Sequence, residues 1–138
     1  MLIENGKLSN LLSAVNSIKK MPGLPYTTIF NFAKVIKFGE ESLKPFYSTL
    51  EEIRKEHPQK KDEEGKPMFV TAPNGQQKAV FEDEDGLQKK GNELALAKVD
   101  FIMDKFEINY AKTDTRLNVE IMKIFMDAFG DNFIVTEI

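Results

Sequence analysis

The sequence predicts a mainly α protein of mixed α+β class, with three to five helices and one β-hairpin inserted between them. Three observations carry that expectation. Apolar residues recur at helical spacing over residues 8–20, 27–56 and 115–129. An Asn74-Gly75 pair sits between two short β-rich runs. The chain has 138 residues, 41% hydrophobic and 30% charged, which suits a single soluble domain over 1–138.

In residues 8–20, Leu8, Leu11, Leu12, Val15 and Ile18 fall on one helical face, with Ser9, Asn10, Ser13, Asn16 and Lys19 opposite. The Met21-Pro22-Gly23-Leu24-Pro25 run ends that helix. A second helical period fills residues 27–56 through Ile29, Phe30, Ala33, Ile36, Leu43, Phe46, Leu50 and Ile53. Thirty residues of helix measure ~45 Å. A compact globule of this length is only ~37 Å across. The helix is therefore expected to kink, split or project, with Gly39 and Pro45 as its weak points.

His57-Pro58 closes that run, and residues 59–66 read as a charged loop. The hairpin is expected over about 67–82, turning at Pro73-Asn74-Gly75. A third helix is expected over about 86–98, its start marked by Glu82, Asp83, Glu84 and Asp85, which complement the helix dipole. Residues 99–110 fit either period, and a short strand near 99–103 is one reading. The last helix, about 115–129, carries Leu117, Ile121, Phe125 and Phe129 at i+4 spacing, widened by Met122, Ile124 and Met126. That face is broad enough for a central core helix or an oligomer contact.

Composition excludes more than it assigns. Cysteine is absent and His57 is the one histidine, so thiolate and multi-histidine metal sites cannot form within a chain. The net charge of −3 gives no basic excess for nucleic acid. The N-terminal residues lack the basic-then-apolar pattern of a signal peptide, and no apolar run is long enough to span a membrane. A cytoplasmic setting is expected. Gly65-Lys66 lacks the upstream glycine and the hydroxyl residue of a phosphate loop. The acidic run before Gly86 fails calcium-loop spacing, because Phe81 and Asn92 fall where carboxylates are needed.

Four groups of residues are left as candidates. Arg54, Lys55, His57, Lys60 and Lys61 form a basic cluster at a helix end, able to meet phosphate or an acidic partner; the plainer use is a solvated helix terminus. Phe46, Tyr47, Met122, Phe125, Met126 and Phe129 are candidate partner or oligomer contacts, with core packing as the alternative. Phe30, Phe32 and Phe38 lie near Lys34 and Lys37, a combination that can stack a nucleotide or simply pack with its lysines outward. Asp100, Asp104 and Glu107 would share a face if their segment were helical, and could then hold a divalent cation. Charge is also divided along the chain. Residues 1–61 carry ten basic and six acidic groups, and residues 62–138 carry nine and sixteen. That division favours electrostatic pairing within or between chains.

Two stretches together resemble a known group. One runs Leu11-Leu12, Val15, Ile18, Leu24-Pro25, Phe30, Ala33-Lys34, Lys37, Leu43 and Phe46. The other runs from Lys61 to Lys66, through the Asn74-Gly75 turn, Phe81 and Asp83, to Asn92-Glu93-Leu94 and Val99-Asp100. Their order resembles small, uncharacterised proteins encoded by bacteriophages and prophages. The resemblance implies a phage setting, hence a host cytoplasm, and brings no catalytic residues.

From these residues the expected function is a non-enzymatic binding protein, without cofactor or metal. It would act through contacts with itself or a host protein as a homo-oligomer, antagonising a host defence or assisting assembly. A sponge that sequesters a nucleotide signal ranks second, and a metal-dependent nuclease third. Neither a membrane nor a nucleic-acid partner is expected.

Overall fold

A computed structural model describes residues 1–110 and 117–137. It is mainly helical, with short strand pairs, as the sequence predicts. The fold divides into two compact units, Met1–Pro45 with Ala95–Ile138, and Phe46–Leu94.

Unit 1 begins with strand β1 (Leu2–Glu4) and helix α1 (Asn5–Ile18). The helix starts three residues before the predicted position. Its inward face is the predicted one: Leu8, Leu11, Leu12, Val15 and Ile18 are all buried. The turn after it buries Met21 and Leu24, with Gly23 at φ 79°.

Helix α2 (Tyr26–Glu56) is a single element of 31 residues with Pro45 inside it. It neither splits at Gly39 nor ends at Pro45. Gly39 is buried, and a Cβ there would lie 3.6 Å from Leu12 Cδ1, so glycine marks a helix–helix contact and not a break. Pro45 instead falls where the chain passes from unit 1 to unit 2. The unit 1 part of α2 turns Thr28, Phe32, Val35 and Leu43 inward.

The remainder of unit 1 supplies three more strands and a helix. Strand β4 (Lys98–Asp100) pairs antiparallel with β1, matching Ile3 to Val99. The Phe101 N–H donates to the Met1 carbonyl at 2.7 Å, and the Met1 amine to the Phe101 carbonyl at 2.6 Å, which lengthens the ladder. Strand β5 (Phe106–Tyr110) pairs in parallel with β6 (Phe133–Glu137), and helix α4 (Val119–Phe129) lies between them in the chain. A parallel pair needs such a crossover. Phe106 and Ile108 point inward from β5. Its outer edge is closed by α2 side chains: Thr28 Oγ1 accepts from the Asn109 N–H at 2.7 Å and donates to its carbonyl at 3.0 Å, while Asn31 Nδ2 donates to the Glu107 carbonyl at 2.7 Å.

Helix α4 is capped by Asn118, whose side chain accepts from the Ile121 N–H at 3.0 Å. Residues 115 and 116, the predicted first turn, lie outside the described residues. Phe125 and Phe129 are buried and join Phe32, Phe106 and Phe133 in an aromatic core. Phe106 lies 5.1 Å from Phe125 and 5.2 Å from Phe129, centroid to centroid. Within the broad apolar face, Phe125 and Phe129 are thus core and not surface contacts, Leu117, Ile121, Met122 and Ile124 are half-buried, and Met126 is exposed.

Unit 2 holds the end of α2, strands β2 (Phe69–Thr71) and β3 (Gln77–Ala79), and most of helix α3 (Glu84–Leu96). The predicted hairpin forms: the Gly75 N–H donates to the Ala72 carbonyl at 2.9 Å, and Gly75 takes φ 83°. Three backbone N–H groups close a ring beneath it: Lys60 to Val80, Val80 to Met68 and Met68 to Lys60, at 2.8–3.1 Å. Side-chain burial in unit 2 is sparse, and α3 buries no residue.

Candidate functional site

Of the basic cluster predicted around His57, the histidine turns inward while its four cations stay exposed. His57 is 5% exposed and faces into unit 2. Its Nδ1 lies 3.3 Å from the Glu82 carbonyl and 3.8 Å from Asp83 Oδ2. Its Nε2 lies 3.1 Å from Lys90 Nζ. A carbonyl only accepts and an ammonium only donates, so the Nδ1–H tautomer satisfies both ring nitrogens. Lys90 also donates to Glu56 at 2.8 Å, and this bond, followed by the Lys90 charge, holds the Glu56 carboxyl below its ordinary pKa. His57 thus ties the end of α2 to the start and middle of α3. Arg54 pairs with Glu51 at 3.1 Å, and Arg54, Lys55, Lys60 and Lys61 are exposed. The roles of Asp83 and Lys90 left no local sequence signal, since both lie more than twenty residues from His57.

Asp83 takes φ 49°, unusual for a residue with a side chain. Its carboxylate accepts from the Gly86 N–H at 3.3 Å and its carbonyl from the Leu87 N–H at 3.0 Å. Glu84 reaches back to the Phe81 N–H at 3.0 Å. The acidic run therefore starts a helix, as its sequence predicts.

Asp100, Asp104 and Glu107 do not share a helical face. Asp100 ends β4, Glu107 lies in β5, and Asp104 lies between the two strands. Asp104 accepts from the Met1 amine at 3.0 Å, and Glu107 pairs with Lys105 at 2.7 Å. Among the described residues no group of three acidic or histidine side chains could hold a metal ion.

The predicted contact residues differ in burial. Phe46 is buried, with its ring 5.4 Å from that of Tyr47, which is exposed. Met122 is half-buried, whereas Met126 is exposed.

The face that stands out lies on the first part of α2, within unit 1. Phe30 is 62% exposed and Tyr26 90%. Lys34 Nζ sits 4.8 Å from the Phe30 ring centroid, and Lys37 Nζ 5.6 Å from that of Phe38. Phe30, Ala33, Lys34, Lys37 and Phe38 line a shallow groove of about 230 Å³. A second groove of about 400 Å³ continues from Lys34 and Phe38 to Ile102 and Lys105. Of the aromatics flagged beside these lysines, Phe32 is core and Phe30 is on the surface. Lys34 and Lys37 meet no carboxylate among the described residues.

No family model, curated protein or solved structure matches this chain. Among the described residues no helix is long and apolar enough to cross a membrane.

Proposed function

We propose that this chain is a non-enzymatic, phage-encoded binding protein that works through protein–protein contacts, with the unit 1 face of α2 as its contact surface. The observation that carries the reading is the exposed Phe30 ring between Tyr26 and Lys34. Aromatic anchors carry a large share of the binding energy at protein interfaces, and phenylalanine is enriched there. A host-defence antagonist or an assembly factor would both use such a face. Affinity capture with wild-type protein and Phe30→Asp tests it. A protein held by wild type and lost by the variant, at unchanged melting temperature, supports the reading. Equal capture by both, or none by either, overturns it.

The nucleotide sponge is the second reading, favoured by the two lysine–aromatic pairs, which suit a phosphate beside a stacked base. It ranks lower because small-ligand sites enclose most of their ligand, and Phe30 lies open on a helix surface. A nucleotide that raises the melting temperature of wild type but not of Lys34→Ala would reverse the ranking.

A further inference from the structure

The lysine-flanked face of α2 has a counterpart on the same unit. Helix α4 exposes Val119 at 69% and Met126 at 56%. These two are seven residues apart, so they stand on one side of the helix about 10.5 Å from each other. Glu120 and Asp127 are exposed beside them at the same spacing. Lys123 lies between the acids, within helical reach of each. Neither acid has an ion-pair partner among the described residues. On α2, Phe30 and Lys37 are also seven residues apart, with Lys34 and Phe38 alongside. From Tyr26 to Phe38 that helix carries two lysines and no acid; Glu40 and Glu41 follow only beyond it. Asp104 and Lys105, at the end of the groove, are engaged by the Met1 amine and Glu107. The α2 face is therefore apolar with two lysines and no acid, and the α4 face apolar with two acids around one lysine, so the two are opposite in net charge.

We infer that the occupant of the α2 face is a second copy of this chain, which presents its α4 face. This rests on the reading that the α2 face binds protein, and it names the partner. Met126 packs on Phe30 and Val119 beside Phe38, while Glu120 approaches Lys37 and Asp127 adds to the negative charge that faces the lysines. Two copies that exchange these faces reciprocally close a dimer. The matched charges fix orientation and make association weaken with added salt.

Sedimentation velocity on the full chain, over a range of concentration and salt, tests the inference. Wild type should associate, less so at high salt. Lys34→Glu with Lys37→Glu should weaken association at least about tenfold, as should Glu120→Lys with Asp127→Lys. Mixing the two double variants should restore it, because each then offers the other a complementary face. Since lysine at position 120 opposes the α4 dipole, Met126→Asp gives a milder break of the same face, and circular dichroism checks each fold. A wild-type monomer at every concentration overturns the inference, as does association that the variants leave unchanged or that mixing does not restore. A wild-type monomer whose Phe30 face still captures another protein would overturn this inference and leave the binding reading standing. No association and no capture would remove both.

Discussion

Phe106→Ala probes the unit 1 core most severely. Phe106 is fully buried, and its ring lies 5.9 Å from Phe32, 5.1 Å from Phe125, 5.2 Å from Phe129 and 6.0 Å from Phe133. Truncating a buried phenylalanine costs about 3–5 kcal/mol, from lost transfer energy and the cavity left behind. Each aromatic pair adds about 0.5–1.5 kcal/mol, though pairs that share one ring do not sum. The cost should therefore lie in the upper half of that range. A domain has only about 5–15 kcal/mol of net stability. At about 4–8 °C per kcal/mol, the melting temperature should fall by at least about 16 °C. Hydrogen exchange at the β5 amides reads unit 1 by itself, which matters because two units need not unfold together. Phe30→Ala is the control, since an exposed ring of the same size should cost less than about 0.5 kcal/mol. A loss under about 1 kcal/mol at Phe106, or equal losses at both positions, would refute the assignment of core and surface.

Other substitutions and conditions test local features. Gly86→Ala should destabilise α3 by about 1 kcal/mol, because a Cβ there displaces the Asp83 carboxylate from the Gly86 N–H; Gly91→Ala, with nothing close to its Cβ, should instead stabilise by about 0.5–1 kcal/mol in the same thermal melt. Asn118→Ala should cost about 1 kcal/mol, seen as faster exchange of the first α4 amides, through loss of the bond to Ile121. Lys90 depresses the Glu56 pKa, so this pair contributes stability above the ordinary glutamate range and loses it as pH falls through the folded value. Lys90→Met should flatten that part of the acid titration of unit 2, read by carboxyl chemical shifts.

Much of the helical framework was legible because its signals are local. The α1 stripe, the Asn74-Gly75 turn, the acidic start of α3 and the Phe125/Phe129 spacing each depend on a few neighbouring residues, and each forms where periodicity or turn chemistry places it. The strands of unit 1 were less legible. Leu2–Glu4 is too short to show a period, and its partner is nearly a hundred residues away. Residues 106–110 fit either period, and only their pairing with Phe133–Glu137 selects the strand. The β-branched run Ile134-Val135-Thr136 was the available signal for that partner. At the candidate site, residue types could be read but burial could not. Phe30 and Phe32 are both aromatic residues on α2, yet two positions of helical rotation put Phe32 in the core and Phe30 on the surface. His57 shows the reverse: a histidine among cations reads as surface, but contacts with Glu82 and Lys90 bury it.

The binding role of the α2 face can be tested most directly with a photo-crosslinking amino acid at position 30, activated in cells that produce the protein. The control places it at position 13, an exposed site on α1. A discrete protein adduct from position 30 and none from position 13 is the predicted result, and its mass states whether the partner is a second copy. No adduct at position 30, or the same products from both positions, would contradict the account.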